Sequence, residues 1–471
     1  MSNGLWTAAE IAAATGGRAL GDWSVAGVSI DSRMVQPREL FIALRGPNHD
    51  GHDFVADALA RGAVAMVDRP PRRFSEAAPL VVVDDTMAAL TALGRAARAR
   101  SAARIAALTG SVGKTGTKEA LRLALCEQAP THASAASHNN HWGVPLSLAR
   151  APRDAAYAVY ELGMNAPGEI AALARLVRPH VAMITAIEPA HLAFFPSVEA
   201  IAEAKGEIFE GLEPGGIAVL NADSPHHERL AALARAGSCA RVIGFGVAEG
   251  AAARLLDARL DNQGSDVVMA LDGRKLAFRI GAPGEHWVAN ALGVVACAHA
   301  LGADPEAAAR ALAAFALPAG RGRQHRIPIA GGEITLIDDS YNANPASVRA
   351  ALRVLESARG RRLAALGDML ELGGHAPRLH AALAEPIAEG CADLVYTAGS
   401  AMRHLHEALP PERRGRHVSD AAELMPLLQA ELRPGDTLLV KGSLGMRMGR
   451  IVEALLAGAA PPARRIGAGG R

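Results

Sequence analysis

The sequence predicts an α/β protein of several domains, and three observations predict it. A strand-like run, Arg104 to Leu108, feeds a glycine-rich turn that opens directly into a helical stretch, Lys114 to Cys126. Short apolar runs alternate with helical stretches through most of the remaining chain, which is the pattern of a largely parallel sheet covered by helices. A chain of 471 residues, half of them apolar, also exceeds the ~250–300 residues at which a single core stops growing.

Taken in order, residues 1–103 hold short strand-like runs, Ala63 to Val67 and Leu80 to Val83 among them, and close with an Ala/Arg-rich helix over Met87 to Ser101. Residues 104–318 form the second unit. Its strands are expected at Arg104 to Leu108, Tyr157 to Leu162, Val181 to Ile187, Gly216 to Leu220 and Arg241 to Phe245, with an antiparallel insertion over Leu255 to Ile280 turning at Asp272-Gly273. Pro318-Ala319-Gly320 reads as a hinge. Residues 319–471 restart the alternation at Ile334 to Ile337, Arg362 to Leu366, Leu394 to Thr397 and Thr437 to Lys441, and the Gly/Pro/Arg-rich tail 461–471 is expected to be disordered.

Lysine plus arginine number 49 against 48 acidic residues, so no basic excess exists to drive nucleic-acid binding. The four cysteines are scattered without a C-x-x-C pair and read as reduced core residues. No apolar run approaches the ~18–20 residues that span a bilayer, and the first residues lack a signal-peptide pattern, so no membrane insertion and a cytoplasmic location are expected.

The chemistry centres on Gly110-Ser111-Val112-Gly113-Lys114-Thr115-Gly116. Glycines at such a turn let consecutive N–H groups face one anion while the helix N-terminus adds partial positive charge. Lys114 would neutralise outer phosphates and the Thr115 hydroxyl would reach magnesium. The plainer alternative is a glycine-rich cap followed by a surface lysine. Glu161 ends an apolar strand where ligands bind in such sheets, and is expected to hold magnesium; His191, following another strand, would lie on the same rim. Lys205 reads first as a solvated helix lysine, although the mid-helix Gly206 argues mildly for a close approach. Asn290 opens an apolar helix, where capping and a base contact are both open. The loop holding Asp339, Asn342 and Asn344 can face a nucleotide across a cleft or serve as an ordinary turn and helix start. Arg321, Arg323 and Arg326 sit at the hinge, where an arginine could swing onto a γ-phosphate.

Together these motifs resemble the Mur ligase family, ATP-dependent amide-forming enzymes of peptidoglycan precursor synthesis. The likeness rests on Thr109 to Thr115, His138-Asn139-Asn140 with Gly143-Val144-Pro145, Tyr160 to Asn165, Asp339 to Pro345, and Leu366 to Gly373. The resemblance implies an N-terminal UDP-sugar domain, a central P-loop ATPase domain and a mobile, Rossmann-like C-terminal domain. It further implies ATP and Mg2+ as cofactors and a monomer. Its substrates would be UDP-MurNAc-tripeptide and D-Ala-D-Ala, joined through an acyl phosphate. By the same resemblance Ser29, Asp31, Ser32 and Arg33, with Ala43 to Gly46 and Asp50 to Phe54, would meet the uridine diphosphate. Asn139, Asn140, Lys441 and Ser443 would contact substrate, Arg323 would act in catalysis, and a carbamylated Lys205 would join Glu161 and His191 around a second magnesium. His141-Trp142 and Leu444-Gly445-Met446 depart from the family's usual wording. Two rivals are a folylpolyglutamate synthase-like ligase and a P-loop switch that joins no substrates.

Overall fold

The computed structural model describes residues 4–69 and 78–459, so the predicted tail 461–471 lies outside it. Its centre is a nine-stranded sheet. Strand Arg104–Thr109 lies between Tyr157–Glu161 on one side and Val181–Ile184 on the other, all parallel. The chain therefore leaves this strand toward one neighbour and returns to the other, and such a reversal opens a crevice at the strands' C-terminal ends. Gly216–Asn221 and Cys239–Gly246 extend the parallel part.

Helix Lys114–Cys126 buries Thr117, Ala120, Leu121, Ala124 and Leu125, a three-four spacing that keeps one face on the sheet and on helix Glu285–Ala300. Each such fully buried leucine contributes ~1.5–3 kcal/mol. The expected antiparallel segment forms as Ala253–Leu260, Ser265–Leu271 and Arg274–Ile280, turning at Asp272 and Gly273, whose φ values are 47° and 83°. It is not an insertion beside the sheet. Phe245 pairs in parallel with Ala253, so these strands continue the central sheet to its edge.

The N-terminal unit is a five-stranded sheet with helix Thr86–Arg100 leading out of it. Trp6, Ile11, Leu40, Leu90 and Leu93 share one continuous core with Val144, Leu146, Tyr160 and Ile184 of the central unit. The Trp6 indole N–H donates to the Ala149 carbonyl (2.8 Å), and Arg150 Nε donates to the Val28 carbonyl (2.5 Å) across the same junction.

The C-terminal unit is a six-stranded sheet with separate cores on its two faces. Here the hinge reading needs correction. Arg323 and Arg326 lie in an edge strand, Arg323–Ile329, which pairs antiparallel with Gly332–Asp339. Alternation is masked in sequence because solvent-facing arginines and a glutamine occupy most of its first half. Strand Val181–Ile184 is also shorter than expected, since residues 185–188 leave the sheet to brace the phosphate loop. Among the described residues no helix is long and apolar enough to cross a membrane.

Candidate active site

The turn after Thr109 is held from outside. Thr185 Oγ1 donates to the Val112 carbonyl (2.6 Å), Ser111 N–H to the Ala186 carbonyl (2.8 Å), and the Ser111 hydroxyl exchanges hydrogen bonds with the Glu188 backbone at 3.1 Å. A Cβ on Gly110 would fall 2.0 Å from Thr185 Oγ1, so only glycine permits this brace. Gly113, at φ 82°, turns the chain into the helix, whose first-turn N–H groups have no intrahelical acceptor and face the crevice. Lys114 Nζ rests on the Gly110 carbonyl (2.7 Å). Burial lowers its pKa, the Glu161 carboxylate opposes that shift, and Arg321 reinforces it.

Glu161 is 1 % exposed at the end of its strand. Its Oε1 accepts from the Asn139 amide (2.8 Å), while Oε2 is buried without a hydrogen-bond partner. An orphaned buried carboxylate oxygen is costly unless something else satisfies it, and a hard cation suits that acceptor. The Thr115 hydroxyl lies 3.3 Å from that of Ser137. Asn140 Oδ1 instead caps the following helix, accepting from Gly143 N–H (3.0 Å).

The opposite wall comes from the C-terminal unit. Arg321 sits between Gly320 and Gly322, both in left-handed conformation, stacks 4.1 Å over the Tyr341 ring and donates to Thr115 Oγ1 (3.2 Å). Lys441 Nζ bridges the Asp339 carboxylate (2.6 Å) and the Asn342 carbonyl (2.9 Å). Burial raises the Asp339 pKa and Lys441 pulls against it. These side chains, the phosphate loop, Glu161, His191 and Asn290 line one cavity of about 590 Å³.

Three family models match the three units: "Mur ligase family, catalytic domain" over residues 24–99, "Mur ligase middle domain" over 108–298, and "Mur ligase, glutamate ligase domain" over 322–444. A UDP-N-acetylmuramoyl-tripeptide–D-alanyl-D-alanine ligase of Rickettsia prowazekii is 33% identical over 427 residues, covering 90% of this chain and 94% of the relative. The chain belongs to the Mur ligase family. The Escherichia coli protein of the same name is 35% identical over 92% of this chain and 94% of its own. The crystal structure of MurF from Acinetobacter baumannii superposes with a TM-score of 0.83 at 32% identity, covering 96% of this chain and 99% of that one. A MurF ligase from Thermotoga maritima in complex with ADP gives 0.76 at 25% identity, over 92% and 98%.

Not every residue singled out in this Mur ligase reaches the cleft. Arg323 is exposed and lies outside it, because the edge strand begins there; Arg321, two residues earlier, is the hinge arginine at the phosphate loop. Ser443 is inward and occupied, accepting from Leu370 N–H (2.9 Å) and contacting the Ala343 carbonyl (3.3 Å). Asn344 lines the cleft but spends its side chain capping helix Pro345–Glu356. Asn290 lies inside helix Glu285–Ala300, not at its opening, with its amide 3.2 Å from where a Gly113 Cβ would stand. Gly206 ends its helix against Leu233.

Lys205 is 1 % exposed, and burial together with the charge of Lys114 drives its pKa well below the usual lysine range. His191, at φ 59°, turns its Nδ1 toward Glu371 of the C-terminal unit (2.6 Å). Among the described residues no three His, Cys, Asp or Glu side chains converge as a metal site. Ser29, at the end of strand Gly27–Ser29, and Asp31, Ser32 and Arg33, in the turn after it, are not among the residues lining the cleft; Asp31 holds Arg33 bidentately at 2.9 and 2.7 Å. Sequence reasoning missed Ser137, Thr185, Glu188 and Arg353. For Thr185 and Glu188 the signal was available, since they directly follow a strand adjoining the phosphate-loop strand.

Proposed function

We propose that the chain joins D-alanyl-D-alanine to UDP-N-acetylmuramoyl-tripeptide with conversion of ATP to ADP and phosphate, giving UDP-MurNAc-pentapeptide. The observation that carries this reading is the braced phosphate loop, whose Lys114 lines one cleft with the unpartnered Glu161 oxygen and with Arg321. Identity of 33–35% over nearly the whole chain to ligases of that name supports the substrates.

In this reading the tripeptide's terminal carboxylate attacks the γ-phosphorus and ADP departs, leaving an acyl phosphate. The dipeptide amine then attacks the acyl carbon, loses a proton, and phosphate leaves as the amide forms. Both reactants of the first step are anions, so charge screening by Lys114 and Arg321 is the protein's main contribution there. Magnesium, when bound, supplies further neutralisation of the transferring oxygens. Thr115 and Glu161 would hold one ion; His191 and a carbamylated Lys205 would help Glu161 hold a second. The donor set fits, since Glu161 Oε2 is buried without a partner and burial pushes the Lys205 pKa well below the usual lysine range, the direction that favours addition of carbon dioxide to its amine. Asn290 and the 110–116 turn would hold ATP, with Asp339, Asn342 and Asn344 across the cleft. Ser29 to Arg33 would meet the uridine diphosphate, and Asn139, Asn140 and Lys441 the reacting substrates. We place the domain boundaries near residues 103 and 318.

The test is phosphate release with ATP, UDP-MurNAc-tripeptide and D-Ala-D-Ala, each omitted in turn. Release that needs all three is expected. Release supported by a folate and glutamate instead, or nucleotide binding without release, would overturn the assignment.

A further inference from the structure

Lys118 lies one turn beyond Thr115 on the phosphate-loop helix. Its side chain is 0% exposed. The ammonium donates to the carbonyls of Ser134 (2.5 Å) and Ala136 (2.7 Å) and pairs with Glu119 Oε1 (2.9 Å), so its three donors meet three acceptors. Burying a cation is unfavourable unless it is fully paired, and an apolar side chain would fill this space without that penalty.

What the ammonium holds is the segment that dresses the metal side of the cleft. Ala136 is kept at φ 45°, a left-handed conformation unusual for alanine, with its carbonyl bound to Lys118. The next residue, Ser137, puts its hydroxyl 3.3 Å from that of Thr115. Asn139 follows, and its amide engages Glu161 Oε1 while Oε2 stays without a partner. Ser134 acts twice, its carbonyl on Lys118 and its hydroxyl accepting from Glu161 N–H (3.3 Å). The contacts form a closed ring from helix to loop to carboxylate and back to helix.

We propose that Lys118 is a positioning residue whose buried ammonium fixes the 134–139 segment and thereby aims Glu161 and Thr115 at the cation of the nucleotide complex. The proposal rests on the reading of these two side chains as metal ligands. Partners that orient metal ligands are worth 10–100-fold in metal affinity or activity. The test is Mn2+ titration of the full-length, ADP-loaded protein followed by electron paramagnetic resonance, for wild type, Lys118→Met, Asn139→Ala, the double variant and Glu161→Gln. Lys118→Met is expected to weaken Mn2+ binding ~10–100-fold. The double variant should be no weaker than the poorer single variant, because both changes act on one carboxylate.

Lys118→Met with wild-type Mn2+ affinity, or single effects that multiply in the double variant, would overturn the proposal even if melting drops. Unchanged affinity in Glu161→Gln would instead remove the underlying metal reading. Lys118→Gln, which keeps two donors, is the second variant should the methionine chain not fold, and it is read by the same titration with the same two outcomes.

Discussion

Gly116→Ala tests how tightly the phosphate loop is registered against the rest of the central unit. A Cβ at this position would stand 2.2 Å from Trp287 Cη2 and 3.1 Å from Cζ2, whereas carbon atoms sit comfortably at ~3.5–4.0 Å. Trp287 is 6 % exposed and packs on Phe315 with ring centroids 5.1 Å apart, so the indole has little room to withdraw. Overpacking of this kind costs ~1–3 kcal/mol, and the better helix propensity of alanine returns ~1 kcal/mol. The net loss, up to ~2 kcal/mol, should lower Tm by up to roughly 8 °C for a unit of this size. The larger consequence is geometric. The easiest relief is a shift of the helix N-terminus, which carries Lys114 and Thr115, and a misplacement of ~1 Å can cost ~100-fold in rate. Calorimetric titration with ADP and thermal melting should therefore show weakened nucleotide binding in a modestly destabilised protein. Gly116→Ala combined with Trp287→Leu should bind ADP better than Gly116→Ala alone. Wild-type ADP affinity and Tm in Gly116→Ala, or strictly additive effects in the pair, would refute the reasoning.

Arg321→Ala should reduce ATP-dependent phosphate release by at least ~100-fold, the scale of losing one preorganised charge contact, while Arg323→Ala stays within a few-fold of wild type; equal losses would return the catalytic role to Arg323. Alanine at Lys205 should abolish turnover, and small carboxylic acids should restore part of it; no restoration would count against a carbamate. His380 is fully buried and accepts from Met369 N–H through Nε2 (3.0 Å), so it is neutral, and burial keeps its pKa below 6.5. Below ~6.5 the unfolded chain then binds a proton that the folded chain does not, so stability should fall as pH falls through this window. Melting curves from pH 7.5 to 5.0 should show a smaller decline for His380→Gln than for wild type, and parallel slopes would contradict the assignment.

Features written within a few consecutive residues were legible in the sequence. Helix Lys114–Cys126 begins and ends where the loop and apolar spacing predict, and strand Thr437–Lys441 likewise matches its expected span. The Asp272-Gly273 turn was readable because few other pairs accept two consecutive positive φ values. What failed depended on distant partners. Nothing near Ala253 announces that it pairs with Phe245, and the polar run Arg323–Arg326 resembles a linker until Gly332–Asp339 folds back on it. In the site, Glu161 was recognisable from its strand end. Lys118 was not, because helical spacing cannot reveal that the 134–139 segment crosses over it and removes its water.

The common core beneath Trp6, Leu93, Leu146 and Tyr160 has a consequence for how the protein can be dissected. An excised fragment ending near residue 103 would bare the apolar surface that now faces the helix Gly143–Ala149, and it should aggregate. A fragment ending near residue 318 keeps that surface covered. The third unit contributes nothing to this core, so its removal leaves that surface intact.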